Sequence, residues 1–303
     1  MSIATEISRL QTAKADIKTA IEAKGVTVPS NATLDTYDDY VSQIQTGGGG
    51  TNYLEQYANR SLSGAITSAQ LGTNIGSNMP ANLLYDQDNI TSVDLTGTGA
   101  TKIANNFCSE CGRLSTVTIP NTVTEIGTYF CSNCGLLYQP SLPSTVTKIG
   151  NYFLQRNTVI YSATIPSTVT SLGNDCFNSC SGLVQVTYNA PTADLPQAFC
   201  TSTNSLALVD LNSSVSNIKS YCMSRGSAST NLLEVVLRKT DAIVTVANNI
   251  GDTGYNAAFR NRRNIKIYVP SALIASYEAD TKWAAGITAG YLTIVALEGS
   301  QYE

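Results

Sequence analysis

The stretch LSTVTIPNTVTEIGTYFCSNCGL, Leu114 to Leu136, decides how this chain folds, because it returns after 23 residues. The next unit is LYQPSLPSTVTKIGNYFLQRNTV, Leu137 to Val159, and the one after it is IYSATIPSTVTSLGNDCFNSCSG, Ile160 to Gly182. Under this shift Leu114, Leu137, Ile160, Leu183 and Leu206 form one column, Pro120, Pro143 and Pro166 a second, and Gly127, Gly150 and Gly173 a third. A fixed period of this length marks a solenoid, in which each unit buries its apolar side against the next. Within LSTVTIP, Leu114, Val117 and Ile119 alternate with Thr116 and Thr118, the pattern of one short strand per turn with its threonines outward. Pro120 ends the strand, since it cannot donate to a ladder. TVTEIGTYF then gives Val123, Ile126 and Phe130 to the core, with Gly127 at a turn that a side chain would hinder. Looser units precede this region around NITSVDL and follow it around LALVDL and LLEVVL. The expectation is an α/β repeat solenoid of about seven or eight turns with one parallel sheet.

The same stretch poses a competing reading. Cys108, Cys111, Cys131 and Cys134 make a C-x2-C, 19-residue gap, C-x2-C pattern, the spacing of a four-thiolate zinc site. The repeat argues against it. The column of Cys108 and Cys131 continues as Leu154, Phe177, Cys200 and Met223, and that of Cys111 and Cys134 as Asn157, Cys180 and Thr203. Ligands would not alternate with Leu, Phe and Asn, so both columns are read as small core residues, and no metal or cofactor is expected.

The chain has 303 residues, 43% hydrophobic and 13% charged, with a net charge of −4, enough for one extended domain or two compact ones. No apolar run approaches the roughly 20 residues that span a bilayer, and MSIATEISRL lacks the order of a secretion signal. No membrane insertion is therefore expected, and eight cysteines are read as reduced core residues. Scattered single charges argue against a nucleic-acid surface. The one local basic cluster, Arg260 to Arg263, is read as a solvated loop.

Catalytic residues are hard to assemble. There is no histidine, which removes the commonest general base and the Ser-His and Cys-His nucleophiles. Asp35, Asp38 and Asp39 lie on a short amphipathic pattern, and Asp86 and Asp88 in a turn that lacks the glycine a calcium loop needs, Thr91 standing there instead. Both groups are read as surface charges. GTGATK, Gly97 to Lys102, is neither a phosphate loop nor a dinucleotide fingerprint. No catalytic residue is assigned, and the chain is read as not an enzyme.

The N-terminus is organised differently. Ile3, Ile7, Leu10, Lys14, Ile17 and Ile21 recur at gaps of four and three, a short heptad stripe with one lysine in it. Gly25 and Pro29 end it, and TLDTYDDYVSQI restarts a helix with Leu34, Tyr37, Val41 and Ile44 on one face. So little core on some forty residues predicts self-association or docking, with a trimer favoured by isoleucine at both core positions. Gly47 to Gly50 form a flexible tether. The expected layout is a helical anchor over 1–46, a Gly-rich linker over 47–52, the solenoid over 53–264 and a capping unit over 265–303.

The runs IPNTVTEIGTYFCSNCGL, LPSTVTKIGNYFLQRNTV and IPSTVTSLGNDCFNSCSG resemble the BspA-like leucine-rich repeats, over roughly Leu83 to the C-terminus. The tail IKIYVPSALIASYEADTKWAAGITAGYL is similar to that family's closing unit, in which a strand ends in proline and a short helix and aromatic side chains cover the last core layer. The N-terminal segment resembles one found in virion proteins of tailed bacteriophages. Together the resemblances imply a virion structural protein, a head or tail fibre or decoration protein. It would be made in the host cytoplasm and released by lysis, with its helices on a capsid or tail protein and its head on a host-surface glycan or protein. The alternative is a BspA-like adhesin or intracellular protein-binding scaffold.

A solenoid's exposed sheet is its usual recognition surface. The outward positions here are Ser92, Asp94, Thr116, Thr118, Gln139, Ser141, Ser162, Thr164, Gln185 and Thr187, continuing as Leu208, Asp210, Glu234 and Val236. Small neutral hydroxyls and amides suit a carbohydrate or a polar protein face better than a phosphate-rich polymer.

Overall fold

The computed structural model describes residues 3–22, with backbone alone for 3–10, then 28, 30, 62–67, 71, 79–138, 140–227, 230–248, 250 and 257–303. The main sheet is a stack of parallel strands, one from each turn but that of Pro140. They are β1 (Ser63–Ile66), β2 (Asn89–Asp94), β4 (Thr116–Thr118), β7 (Ser162–Ile165), β9 (Gln185–Tyr188), β11 (Leu208–Leu211), β13 (Leu233–Leu237), β15 (Ile265–Val269) and β16 (Leu292–Ala296). The register follows the repeat, with Ser162 beside Gln185, Gln185 beside Leu208, and Leu208 beside Glu234. With about nine turns the solenoid is longer than the sequence reading of seven or eight. Two of its strands fall outside the recognisable period, β1 at the start and β16 after the closing helices.

The main sheet is interrupted once, between β4 and β7. At that turn Pro140 occupies the column of Val117 and Ala163 and is buried with them, and a proline has no N–H to give the ladder.

A second parallel ladder, not foreseen, runs along another edge. Its two-residue strands fall into two sheets, one of β3 (Lys102–Ile103), β5 (Glu125–Ile126), β6 (Lys148–Ile149) and β8 (Ser171–Leu172), the other of β10 (Asp194–Leu195), β12 (Asn217–Ile218) and β14 (Thr245–Val246). The glycine column beside it has a steric cause. A Cβ on Gly150 would lie 2.7 Å from the Gly127 carbonyl carbon, and one on Gly173 would lie 2.4 Å from the Asn151 nitrogen. The turns approach too closely there for any side chain.

A third edge is carried by residues with left-handed backbone. Tyr129, Tyr152, Asp175 and Ala198 all have φ between 54° and 59°. Each sends its N–H along the stack to the next turn, to the carbonyls of Asn151, Asn174, Gln197 and Ser220 at 2.9–3.1 Å. The bond offsets the cost of roughly 1 kcal/mol that such a conformation carries for a residue with a side chain.

One continuous core runs from Leu62 to Leu292. Phe107, Phe130 and Phe153 stack at 6.1 and 5.4 Å. In the following turn the order of the pair changes to Cys176–Phe177, and Phe177 meets Phe153 and Phe199 edge-on at 6.4 and 5.3 Å. Swapping a large and a small neighbour keeps the volume of the layer while rotating the ring contact.

The last described strands flank a pair of helices. After Val269 and Pro270 come α2 (Ile274–Ala279) and α3 (Thr281–Thr288), the latter capped by Asp280, which accepts from the Lys282 and Trp283 amides. These helices satisfy the last strand of the narrow ladder. The Val244 amide donates to the Tyr277 hydroxyl at 2.8 Å, Trp283 Nε1 donates to the Val244 carbonyl at 2.9 Å, and Lys282 Nζ donates to the Val246 carbonyl at 2.7 Å.

The heptad positions Ile3, Ile7, Leu10, Lys14, Ile17 and Ile21 all fall on α1 (Ile3–Glu22). Lys14 is half-buried, Ile17 is 41% exposed and Ile21 is buried. The second expected helix and the glycine tether lie outside the described residues. No helix among the described residues is long and apolar enough to cross a membrane.

Candidate functional site

The alternation within each strand sets which groups the main sheet shows to solvent. Val117, Ala163 and Val186 are buried, while Thr116, Thr118, Ser141, Ser162, Thr164 and Gln185 are exposed. Parallel pairing sets Ser162 beside Gln185 and Thr164 beside Thr187, while Thr116, Thr118 and Ser141 stand on the other side of the break or within it. The remaining predicted positions differ. Ser92, Asp94 and Thr187 are half-buried, and Asp94 Oδ1 accepts from the Thr96 amide and hydroxyl at 2.9 and 2.7 Å, so its carboxylate closes a local turn. Gln139 lies outside the described residues.

Towards the C-terminus the same face is closed by the chain itself. Val236 is outward by parity yet fully buried, and so is its neighbour Tyr268, at 7% exposure. The cover is the segment after β16. The Tyr302 and Tyr268 hydroxyls donate to the two oxygens of Glu234, each at 2.7 Å, and the two rings meet at 4.9 Å. Arg238 forms a bidentate pair with Asp210 at 2.8 and 3.0 Å and donates to the Tyr302 carbonyl at 2.9 Å. Burial, then the hydrogen bond to the Glu234 carboxylate, pushes the Tyr302 phenol up to about 12. The sequence reading had extended the open stripe through Leu208, Asp210, Glu234 and Val236. It is corrected here, because no local pattern reveals that residues 297–303 fold back over it.

The cysteines have a structural account. All four cysteines of the paired motifs are buried with their thiols free of disulfides, and burial pushes the Cys108 and Cys134 thiols up. Cys111 Sγ donates to the Leu84 carbonyl at 3.0 Å, Cys134 Sγ to the Cys108 carbonyl at 2.9 Å and Cys180 Sγ to the Leu154 carbonyl at 3.1 Å. In the same column Asn157 Nδ2 donates to the Cys131 carbonyl at 2.9 Å. From Cys111 to Cys180 the column therefore holds hydrogen-bond donors that satisfy a buried carbonyl one turn back, a requirement Cys and Asn share and an aliphatic residue does not meet, whereas Thr203 donates within its own turn to the Cys200 carbonyl. The earlier reading as merely small core residues missed this. Among the described residues, no group of three or more His, Cys, Asp or Glu side chains is placed to hold a metal ion.

The basic cluster is also corrected. Arg262 is buried, not solvated, and donates to the carbonyls of Met223, Thr203 and Leu206 at 2.9, 3.1 and 3.4 Å. Burial lowers its pKa to about 10. Arg263 lies over the Tyr291 ring at 4.1 Å. The charges serve the last turns of the stack.

The profile of the BspA type leucine rich repeat region matches in six copies, over residues 73–199 and 101–230, together just over half of the chain. This chain belongs to that family. Among solved structures, it is similar to a leucine-rich repeat protein from Bacteroides ovatus, at 18% identity and TM-score 0.44, covering 82% of this chain and 75% of that one. A leucine rich repeat protein of T. pallidum gives 18% identity and TM-score 0.41 over 49% of this chain and 77% of that one. A leucine rich cell surface protein of Faecalibacterium prausnitzii gives 18% and 0.37 over 79% and 80%. Comparison with curated proteins gives no match. No enzyme family is indicated, and the BspA-type repeat is a binding scaffold in kind.

Proposed function

We propose that this chain is a non-enzymatic surface-recognition protein that offers the open part of its main sheet to a polar ligand on a cell surface. The observation that carries this reading is the contrast along one face. Its outward positions Thr116, Thr118, Ser141, Ser162, Thr164 and Gln185 are exposed and uncharged, whereas its C-terminal end is sealed by the chain's own tail. The N-terminal stripe on α1 is the attachment element, which self-associates as a trimer or docks onto a capsid or tail protein. In this reading the chain is a fibre or decoration protein of a bacteriophage virion, made in the host cytoplasm and released by lysis. A bacterial BspA-like adhesin is the second reading, and family membership favours it. Both readings place recognition on the same sheet. Replacing Thr118, Ser141 and Thr164 together with lysine is expected to abolish adhesion to target cells and leave the melting temperature nearly unchanged, because all three side chains are exposed. Unaltered adhesion would move the contact to the loops or the closing unit.

A further inference from the structure

We infer that Tyr302 is the built-in occupant of a tyrosine-binding site on the main sheet, and that a tyrosine-bearing segment of a partner protein displaces it. The site lies on β13 and β15, in line with the open part of the face. Gln185, Leu208, Glu234 and Lys266 stand side by side in one outward row, and Thr187, Asp210, Val236 and Tyr268 in the next. Tyr302 fills the site through three contacts that together describe a tyrosine residue. Its ring meets that of Tyr268 at 4.9 Å and 76°, its hydroxyl donates to one oxygen of Glu234 at 2.7 Å, and its carbonyl accepts from Arg238 Nη2 at 2.9 Å.

Two features make this occupant removable. The segment that carries it is a turn closed on itself, with the Ser300 amide donating to the Leu297 carbonyl, the Gly299 amide to the Glu303 carboxylate and the Tyr302 amide to the Ser300 hydroxyl. It leaves the body at Leu297 and Glu298, which are bonded to the Val269 carbonyl and the Ser271 amide at 2.8 Å each. Beyond them, among the described residues, every hydrogen bond from the turn to the sheet passes through Tyr302, and Gly299, Gln301 and Glu303 are exposed. Withdrawal of Tyr302 also strands no charge. Glu234 keeps the Tyr268 hydroxyl at 2.7 Å, and Arg238 keeps both oxygens of Asp210 at 2.8 and 3.0 Å. It uncovers the Tyr268 ring and Val236, one acceptor on Glu234 and one donor on Arg238, all of which a second tyrosine residue satisfies. The carboxylate facing the hydroxyl repels a phosphorylated tyrosine. While it is in place, Tyr302 competes at the high local concentration that its short tether gives it, so the closed turn holds the site against weak ligands.

The probe is a fluorescein-labelled peptide of residues 297–303, LEGSQYE, titrated by fluorescence anisotropy against the full chain and its Tyr302→Ala variant. The variant is expected to bind the peptide saturably and roughly tenfold or more tightly than the parent, whose own Tyr302 competes. The same peptide with phenylalanine in place of its tyrosine should bind the variant roughly tenfold or more weakly, and the phosphotyrosine form should not bind. Absence of binding to the variant, equal binding to parent and variant, or equal binding of the three peptides overturns the site and leaves Tyr302 as a cap only. Amide hydrogen exchange on the unaltered full chain gives a reading that does not depend on how the variant folds. Residues 299–303 are expected to exchange at least about tenfold faster than β15, as a turn that opens by itself does, and equal protection of the two would overturn the displacement.

Discussion

Asn157 shows how one residue serves the stack. Its side chain is wholly buried, accepts from the Cys134 amide at 2.9 Å and donates to the carbonyls of Cys131 and Leu154 at 2.9 and 2.8 Å. Asn157→Leu keeps the branched shape but orphans the Cys134 amide and the Cys131 carbonyl, while the Leu154 carbonyl keeps the backbone amide of residue 157, so it should cost roughly 2 kcal/mol or more, at about 1 kcal/mol or more for each orphaned buried group. Asn157→Cys restores one donor in the manner of Cys134 and Cys180 and should cost clearly less. Urea midpoints of the two variants give the test, and equal losses would remove the donor role from this column. The left-handed tyrosines lie at the same scale. Nothing in the identity of Tyr129 or Tyr152 announces φ of 58° and 57°, which asparagine or glycine would adopt more readily. The conformation is set by the carbonyls of the next turn.

At the scale of elements, the returning tail behaves as a strap. Its hold centres on Glu234, which accepts from both phenols, and on Arg238 paired with Asp210. The Tyr302 phenol is held near 12 against an ordinary 10.0, so its contribution is complete below pH 10 and is lost as pH rises through about 12. In Glu234→Ala the acceptor is gone, and Tyr302 and Tyr268 should titrate closer to the ordinary value, leaving only the burial effect. Phenolate absorbance against pH reads this directly, and an unchanged titration would show that the strap does not rest on Glu234. The break at Pro140 belongs to the same scale, for one missing N–H divides a sheet whose packed core continues beneath it.

At the scale of the whole molecule, the head is stabilised turn against turn, since every strand of it pairs with a neighbour in its own chain. The helical stripe on α1 has no such repeat to lean on. Removing residues 2–46 is therefore expected to give a folded, monomeric head with the melting temperature of the full chain, as read by light scattering and circular dichroism. A truncated head that remained trimeric would relocate association to the solenoid.

The 23-residue period determined the solenoid, its strands and the inward and outward parity, because each turn repeats the same local chemistry and buries the same columns, while the closing unit was expected only from its resemblance to that of the family. The open half of the candidate site, Thr116 to Gln185, was legible for the same reason. Only the tertiary structure decided where that face ends, since the bonds from Tyr302 to Glu234 join residues 68 apart that share no pattern. It also decided that Arg262 is buried under carbonyls of two earlier turns, and that the cysteine column is chosen for its donors. These facts depend on which carbonyl is left unpaired inside the stack. Periodicity counts apolar side chains and carries no record of that.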